Sequence, residues 1–221
     1  MARNIKIDNS LLKRLKLKEE NEKRKTESRI QRERILIVCE GEKTEPNYFK
    51  SIEKMLPKGV LHLDILGVGA NTGSVVAHAV KENNKYLGTL EEYDQVWVVF
   101  DKDDFPDQNF NNAIYLAQKS NIKCAESNEA FELWYVLHFQ FLSSAIKRTQ
   151  YFEILSKIMG AKYEKNNENM YDYLTKHGNE INAITWAEKL DLKTIDQTPS
   201  DKKPHTGVYK LIQVLNKFKG D

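Results

Sequence analysis

Acidic residues at three places carry the chemistry for which this sequence can be read. Glu40 follows the apolar run Ile35-Leu36-Ile37-Val38-Cys39, and Asp101, Asp103 and Asp104 follow Gln95-Val96-Trp97-Val98-Val99-Phe100. Glu132 stands inside Phe131-Glu132-Leu133-Trp134-Tyr135-Val136-Leu137, which is otherwise apolar. Both apolar runs read as strands covered on both faces of a parallel sheet, and in such sheets the loops after the strands converge on one crevice. Carboxylates gathered there repel one another without a cation, and hard oxygen ligands suit Mg2+ or Mn2+. The pattern predicts a divalent-metal site, against the alternative that each acid is a solvated turn residue. Glu132 needs a partner, since a bare carboxylate in apolar surroundings is costly. A metal, a basic side chain or its own proton would each supply one.

Other chemistries find no support. Asp101-Lys102-Asp103-Asp104-Phe105-Pro106-Asp107 fails as an EF-hand loop, because its sixth position is Pro106 where Gly is needed and its twelfth is Asn112 where Glu is needed. Gly67-Val68-Gly69-Ala70-Asn71-Thr72-Gly73 matches neither a P-loop nor a dinucleotide fingerprint and reads as a tight turn before a helix. There is no Gly-x-Ser-x-Gly elbow and no His-Glu-x-x-His. Cys39 and Cys124 both fall in strand-like runs, as reduced thiols rather than a disulfide or zinc site. His138 reads as structural, and His62, His78 and His177 have no constellation around them.

The elements that must position the acids alternate. A strand over 35–39 leads to a helix from Thr44, an N-cap candidate, with Tyr48, Phe49 and Ile52 on its inner side. A strand over 60–68 precedes a helix carrying Val75, Val76, Ala79 and Val80. The strand over 95–100 precedes a helix over 109–120, and a strand over 122–125 precedes a helix from Asn128 to Leu142 capped by Ser127. That last helix has no polar face and must be buried. Beyond Lys147 the text is helical over 151–158, 168–177, 182–190 and 208–218. Short turns between alternating strands and helices predict an α/β fold with a mainly parallel sheet and right-handed crossovers.

The chain has 221 residues, 40% hydrophobic and 30% charged, which suits one globular domain with attachments. Residues 1–34 hold 12 Lys and Arg against 6 Asp and Glu, a net of +6, leaving 22 against 26, or −4, for the rest. The N-terminal part, helix-forming but without an apolar face from Lys18 to Arg29, reads as a basic arm that touches phosphate backbone or a partner. No run of 18 apolar residues and no apolar signal core are present, so a cytoplasmic protein without membrane association is expected.

Three ordered motifs resemble the RloB-like family: Ile37-Val38-Cys39-Glu40-Gly41-Glu42-Lys43-Thr44-Glu45-Pro46-Asn47-Tyr48-Phe49, then Val98-Val99-Phe100-Asp101-Lys102-Asp103, then Ser127-Asn128-Glu129-Ala130-Phe131-Glu132-Leu133-Trp134 with His138-Phe139. The resemblance runs from Arg34 to Leu142 and more weakly beyond, where Lys203-Pro204-His205-Thr206 replaces an Asn-Pro-Ser-Thr-like segment. It implies a Toprim/Rossmann-like sheet over 34–146, after a basic helical arm over 1–33 and before a helical extension over 147–221 packed on that sheet. It further implies a metal-dependent nuclease acting on DNA or RNA in prokaryotic phage defence, beside an AAA-type ATPase partner, with self-association compatible. Glu40 would be the proton-transfer group or a ligand, and Asp101 and Asp103 would bind Mg2+ or Mn2+. Asp104, Glu132 and Glu45 would be extra ligands, and Lys43 and Lys102 phosphate contacts. The alternative is a non-catalytic interaction or sensor module working with the ATPase.

Overall fold

A computed structural model describes residues 32–69 and 72–220. The basic arm up to residue 31 and the Ala70-Asn71 turn lie outside the described residues. Residues from Glu33 onward form one compact unit. Its strands are β1 (Glu33–Cys39), β2 (Leu61–Gly67), β3 (Gln95–Asp101), β4 (Lys123–Asn128) and β5 (His205–Thr206). The described helices are α1 (Thr44–Met55), α2 (Thr72–Tyr86), α3 (Asp107–Lys119), α4 (Glu132–Leu137), α5 (Arg148–Met159), α6 (Met170–His177), α7 (Glu180–Lys193) and α8 (Val208–Asn216).

The sheet order is β2-β1-β3-β4-β5. The first four strands are parallel, and β5 is antiparallel to β4, so the fold is a mainly parallel, Rossmann- or Toprim-like α/β sheet flanked by helices. Alternation along β1 and β3 explains why the sheet is covered on both sides. Ile35, Ile37, Cys39, Trp97 and Val99 enter a core shared with Tyr48, Phe49 and Ile52 of α1, all of α4 except Glu132, and apolar residues of α5 to α8. Leu36, Val38, Val96, Val98 and Phe100 enter a second core with Val75, Val76 and Ala79 of α2 and Phe110, Ala113 and Ile114 of α3. Each buried Val, Leu, Ile and Phe side chain among them contributes about 1.5–3 kcal/mol, so the two cores fix both faces of the sheet.

Most boundaries fall within two residues of the sequence reading, and three expectations need correction. β4 continues to Asn128, and Ser127 is a strand residue rather than a helix cap. Its hydroxyl lies 3.0 Å from Thr206 Oγ1, so the hydrogen-bonding capacity that suggested a cap serves pairing with β5. The helix expected over 128–142 is accordingly only the six residues of α4, though all six are buried as its missing polar face requires. Thr44 is the first residue of α1 rather than its cap; Lys43 occupies that position without a side-chain cap bond.

Candidate active site

In the strand order observed, the chain leaves β1 toward β2 on one side and reaches β3 on the other, so β1 and β3 flank the topological switch point where crevices open in doubly wound sheets. Glu40 and Asp101 sit across that boundary. The Glu40 amide donates to the Val99 carbonyl at 2.8 Å, and Glu40 Oε2 accepts from the Asp101 amide at 3.1 Å. Glu40 is half-buried at the rim. The turn after it is tight for a reason: a Cβ on Gly41 would come 2.2 Å from Glu45 Oε2, so only glycine lets the Glu45 carboxyl fold back beside Glu40. The loop is also held against the end of β2, where a Cβ on Gly67 would meet the Gly41 carbonyl at 2.7 Å and Pro46 Cγ at 2.8 Å.

Asp101 continues the alternation of Trp97 and Val99, which directs its side chain to the face covered by α1, α4 and α5. It is 6% exposed. Asp103 follows with φ of 44°, a left-handed conformation that Asp adopts more readily than most residues, and its amide donates to the Glu129 carbonyl at 3.2 Å. Arg148, the first residue of α5, joins the two acids: Nη2 lies 3.1 Å from Asp101 Oδ2 and Nη1 2.5 Å from Asp103 Oδ2. Glu132 opens α4, is 1% exposed, and accepts from the Tyr163 hydroxyl at 3.3 Å through Oε1. Glu132 Oε2 and Asp101 Oδ1 are buried without a hydrogen bond of normal geometry.

The electrostatics follow from burial. Desolvation raises the Asp101 carboxyl well above the usual range, Glu45 and Glu132 add to this, and Arg148 opposes it. Burial likewise pushes Glu45 up to about 7, with Glu132 and Glu40 raising it further while its own backbone amide and Lys165 pull it down. The Tyr163 hydroxyl is raised by burial and by the neighbouring Glu132. Asp101 and Glu45 are thus carboxyls whose simultaneous ionisation the fold disfavours, a condition met where sites are prepared for a cation or for proton transfer.

Of the residues singled out in the sequence, the structure brings together Glu40, Glu45, Asp101, Asp103 and Glu132. Asp104 is exposed on the turn, outside this buried group, and Lys43 is exposed at the start of α1. Lys102, expected as a phosphate contact, turns inward instead: it is 5% exposed, donates to the Phe105 carbonyl and pairs with Asp107 at 3.0 Å. It braces the turn that presents Asp103. His138 is structural, as expected, with Nδ1–H donating to the Trp134 carbonyl at 2.9 Å and burial lowering its pKa to about 4. The sequence reading missed Arg148, which lies 47 residues from Asp101 along the chain, and carried no local signal for it. A basic partner for the buried acids was foreseeable in kind but not in position.

Oxygen donors with unsatisfied, buried atoms fit a hard divalent cation in kind. As the side chains lie, however, no three His, Cys, Asp or Glu residues among those described are grouped as a metal ion would need, and the guanidinium of Arg148 stands against both aspartates. A cavity of about 260 Å3 lies elsewhere, lined by Glu188, Asp191, Leu192, Ile195 and Tyr209, and contains none of these acids.

Neither a curated protein nor a solved structure matches the chain. The model of the RloB-like protein family matches residues 35–215, from β1 into α8, and thereby takes in every acid of the site together with Arg148. With most of its length covered by that match, the chain belongs to the RloB-like family.

Proposed function

We propose that this chain is a divalent-metal-dependent nuclease that hydrolyses phosphodiester bonds of DNA or RNA, serving as the effector of a prokaryotic phage-defence system beside an AAA-type ATPase. The observation that carries the reading is the pair of buried, unpartnered carboxylate oxygens, Asp101 Oδ1 and Glu132 Oε2, beside the β1–β3 switch point. Asp101 and Asp103 would hold Mg2+ or Mn2+, with Glu132 and Glu45 as further oxygen donors and Asp104 at the outer edge. The bound cation supplies charge neutralisation for the phosphate and acidifies a water molecule. Glu40, half-buried at the rim with one oxygen anchored to the Asp101 amide, would take a proton from water or return one to the leaving oxygen. Lys43, exposed beside it, provides a contact for substrate phosphate.

The pairing of Arg148 with both aspartates favours one other reading, a non-catalytic module in which the acids form a neutralised structural core. Cleavage of a labelled panel of single- and double-stranded DNA and RNA, with Mg2+, Mn2+ or chelator and with or without the ATPase, separates the two. The nuclease reading expects metal-dependent cleavage that falls at least 100-fold in Glu40→Gln, the lower bound of a general acid–base contribution. Cleavage absent under every condition favours the module, and cleavage undiminished in Glu40→Gln removes Glu40 from the chemistry.

A further inference from the structure

Four buried polar atoms without hydrogen-bond partners belong to the same group of side chains: Asp101 Oδ1, Glu132 Oε2, Arg148 Nε and Tyr151 Oη. Arg148 and Tyr151 are one turn apart on α5, so that helix presents both to the acids. The start of α5 is held by bonds that do not involve the Arg148 guanidinium: Gln150 Oε1 accepts from the Lys147 amide at 2.9 Å, and the Gln150 amide donates to the Lys147 carbonyl at 2.9 Å. The guanidinium can therefore leave the aspartates by side-chain rotation with the helix intact. It cannot leave by losing its charge, since arginine stays protonated in proteins.

We propose that Arg148 is the built-in counter-ion of this site and competes with a divalent cation for the carboxylates of Asp101 and Asp103. The inference rests on the reading of those acids as metal ligands. One fork of N–H donors takes one oxygen of each aspartate, which explains how the buried Asp101 carboxyl and the half-buried Asp103 carboxyl are kept together in one fold. Metal entry requires that the fork swing away. Once free, the planar guanidinium presents paired donors beside the place where a phosphate would lie, and its Nε, unpartnered against the aspartates, becomes available to an anionic oxygen.

The test is titration of Mn2+ into the full chain, followed by calorimetry, for wild type, Arg148→Gln and Arg148→Lys. Competition predicts at least tenfold tighter Mn2+ binding by Arg148→Gln. It also predicts severalfold tighter binding by Arg148→Lys, which keeps the charge but loses the two-pronged grip, so that this variant reports contact rather than net charge. Arg148→Gln should melt lower than wild type without metal, with the gap narrowing as Mn2+ saturates. If wild type binds Mn2+ and Arg148→Lys binds it equally or more weakly, Arg148 is a structural brace and the inference fails alone. Should neither wild type nor the variants bind Mn2+, the metal-site reading fails with it. If Arg148→Gln does not fold, the Arg148→Lys comparison decides.

Discussion

The Glu45 carboxyl, folded over Gly41 and buried among other acids, gives the site a measurable pH signature. Its pKa stands at about 7 against an ordinary 4.5, so the folded chain holds this proton more tightly than the unfolded chain. Stability from this group is fully present below pH 4.5 and is lost as pH rises through 7. The loss amounts to something on the order of 3 kcal/mol across the window. Glu45→Gln, which keeps the shape and cannot ionise, should therefore gain on wild type as pH rises from 5 to 8.5 in chelator, read as the difference between paired thermal melts. A difference that stays constant over that range would mean that Glu45 is solvated.

At the scale of elements, the β1–α1 loop and the end of β2 are fitted so closely that Gly67 leaves no room for a methyl group between the Gly41 carbonyl and Pro46. Gly67→Ala should cost about 1–3 kcal/mol by overpacking and, by pushing on the loop, displace Glu40 from the Asp101 amide. Urea unfolding checks the first part, and a stability equal to wild type would show that the loop yields freely. The same elements mark how much was readable in the chain. Ile35 to Cys39 and Val96 to Phe100 announce buried parallel strands because apolar runs bounded by acids have few other uses, and Glu40 and Asp101 follow directly from them. Ser127 misled because a hydroxyl before an apolar run looks like a cap, whereas its partner is Thr206, 79 residues away. Arg148 was illegible for the same reason. Ladder partners and ion pairs that depend on distant chain segments leave no periodicity where they act, while strand burial and helix faces do.

At the scale of the molecule, both cores are built, among the described residues, from side chains between Ile35 and Leu215, and the C-terminal segment is part of the sheet through β5 as well as part of the core through α5 to α8. A chain lacking residues 1–29 should therefore still melt cooperatively by calorimetry, and loss of a cooperative transition would assign the N-terminal segment a role in folding. The central claim, that the acids gathered at the switch point form a divalent-cation site, is tested most directly by the melting temperature of wild type and Asp101→Asn with chelator and with Mg2+ or Mn2+. The account predicts that wild type rises by about 5–10 °C when metal exceeds its dissociation constant a hundredfold, because the cation binds only the folded chain, and that Asp101→Asn shows no such rise. A wild-type melt indifferent to metal, or the same rise in Asp101→Asn, would contradict it.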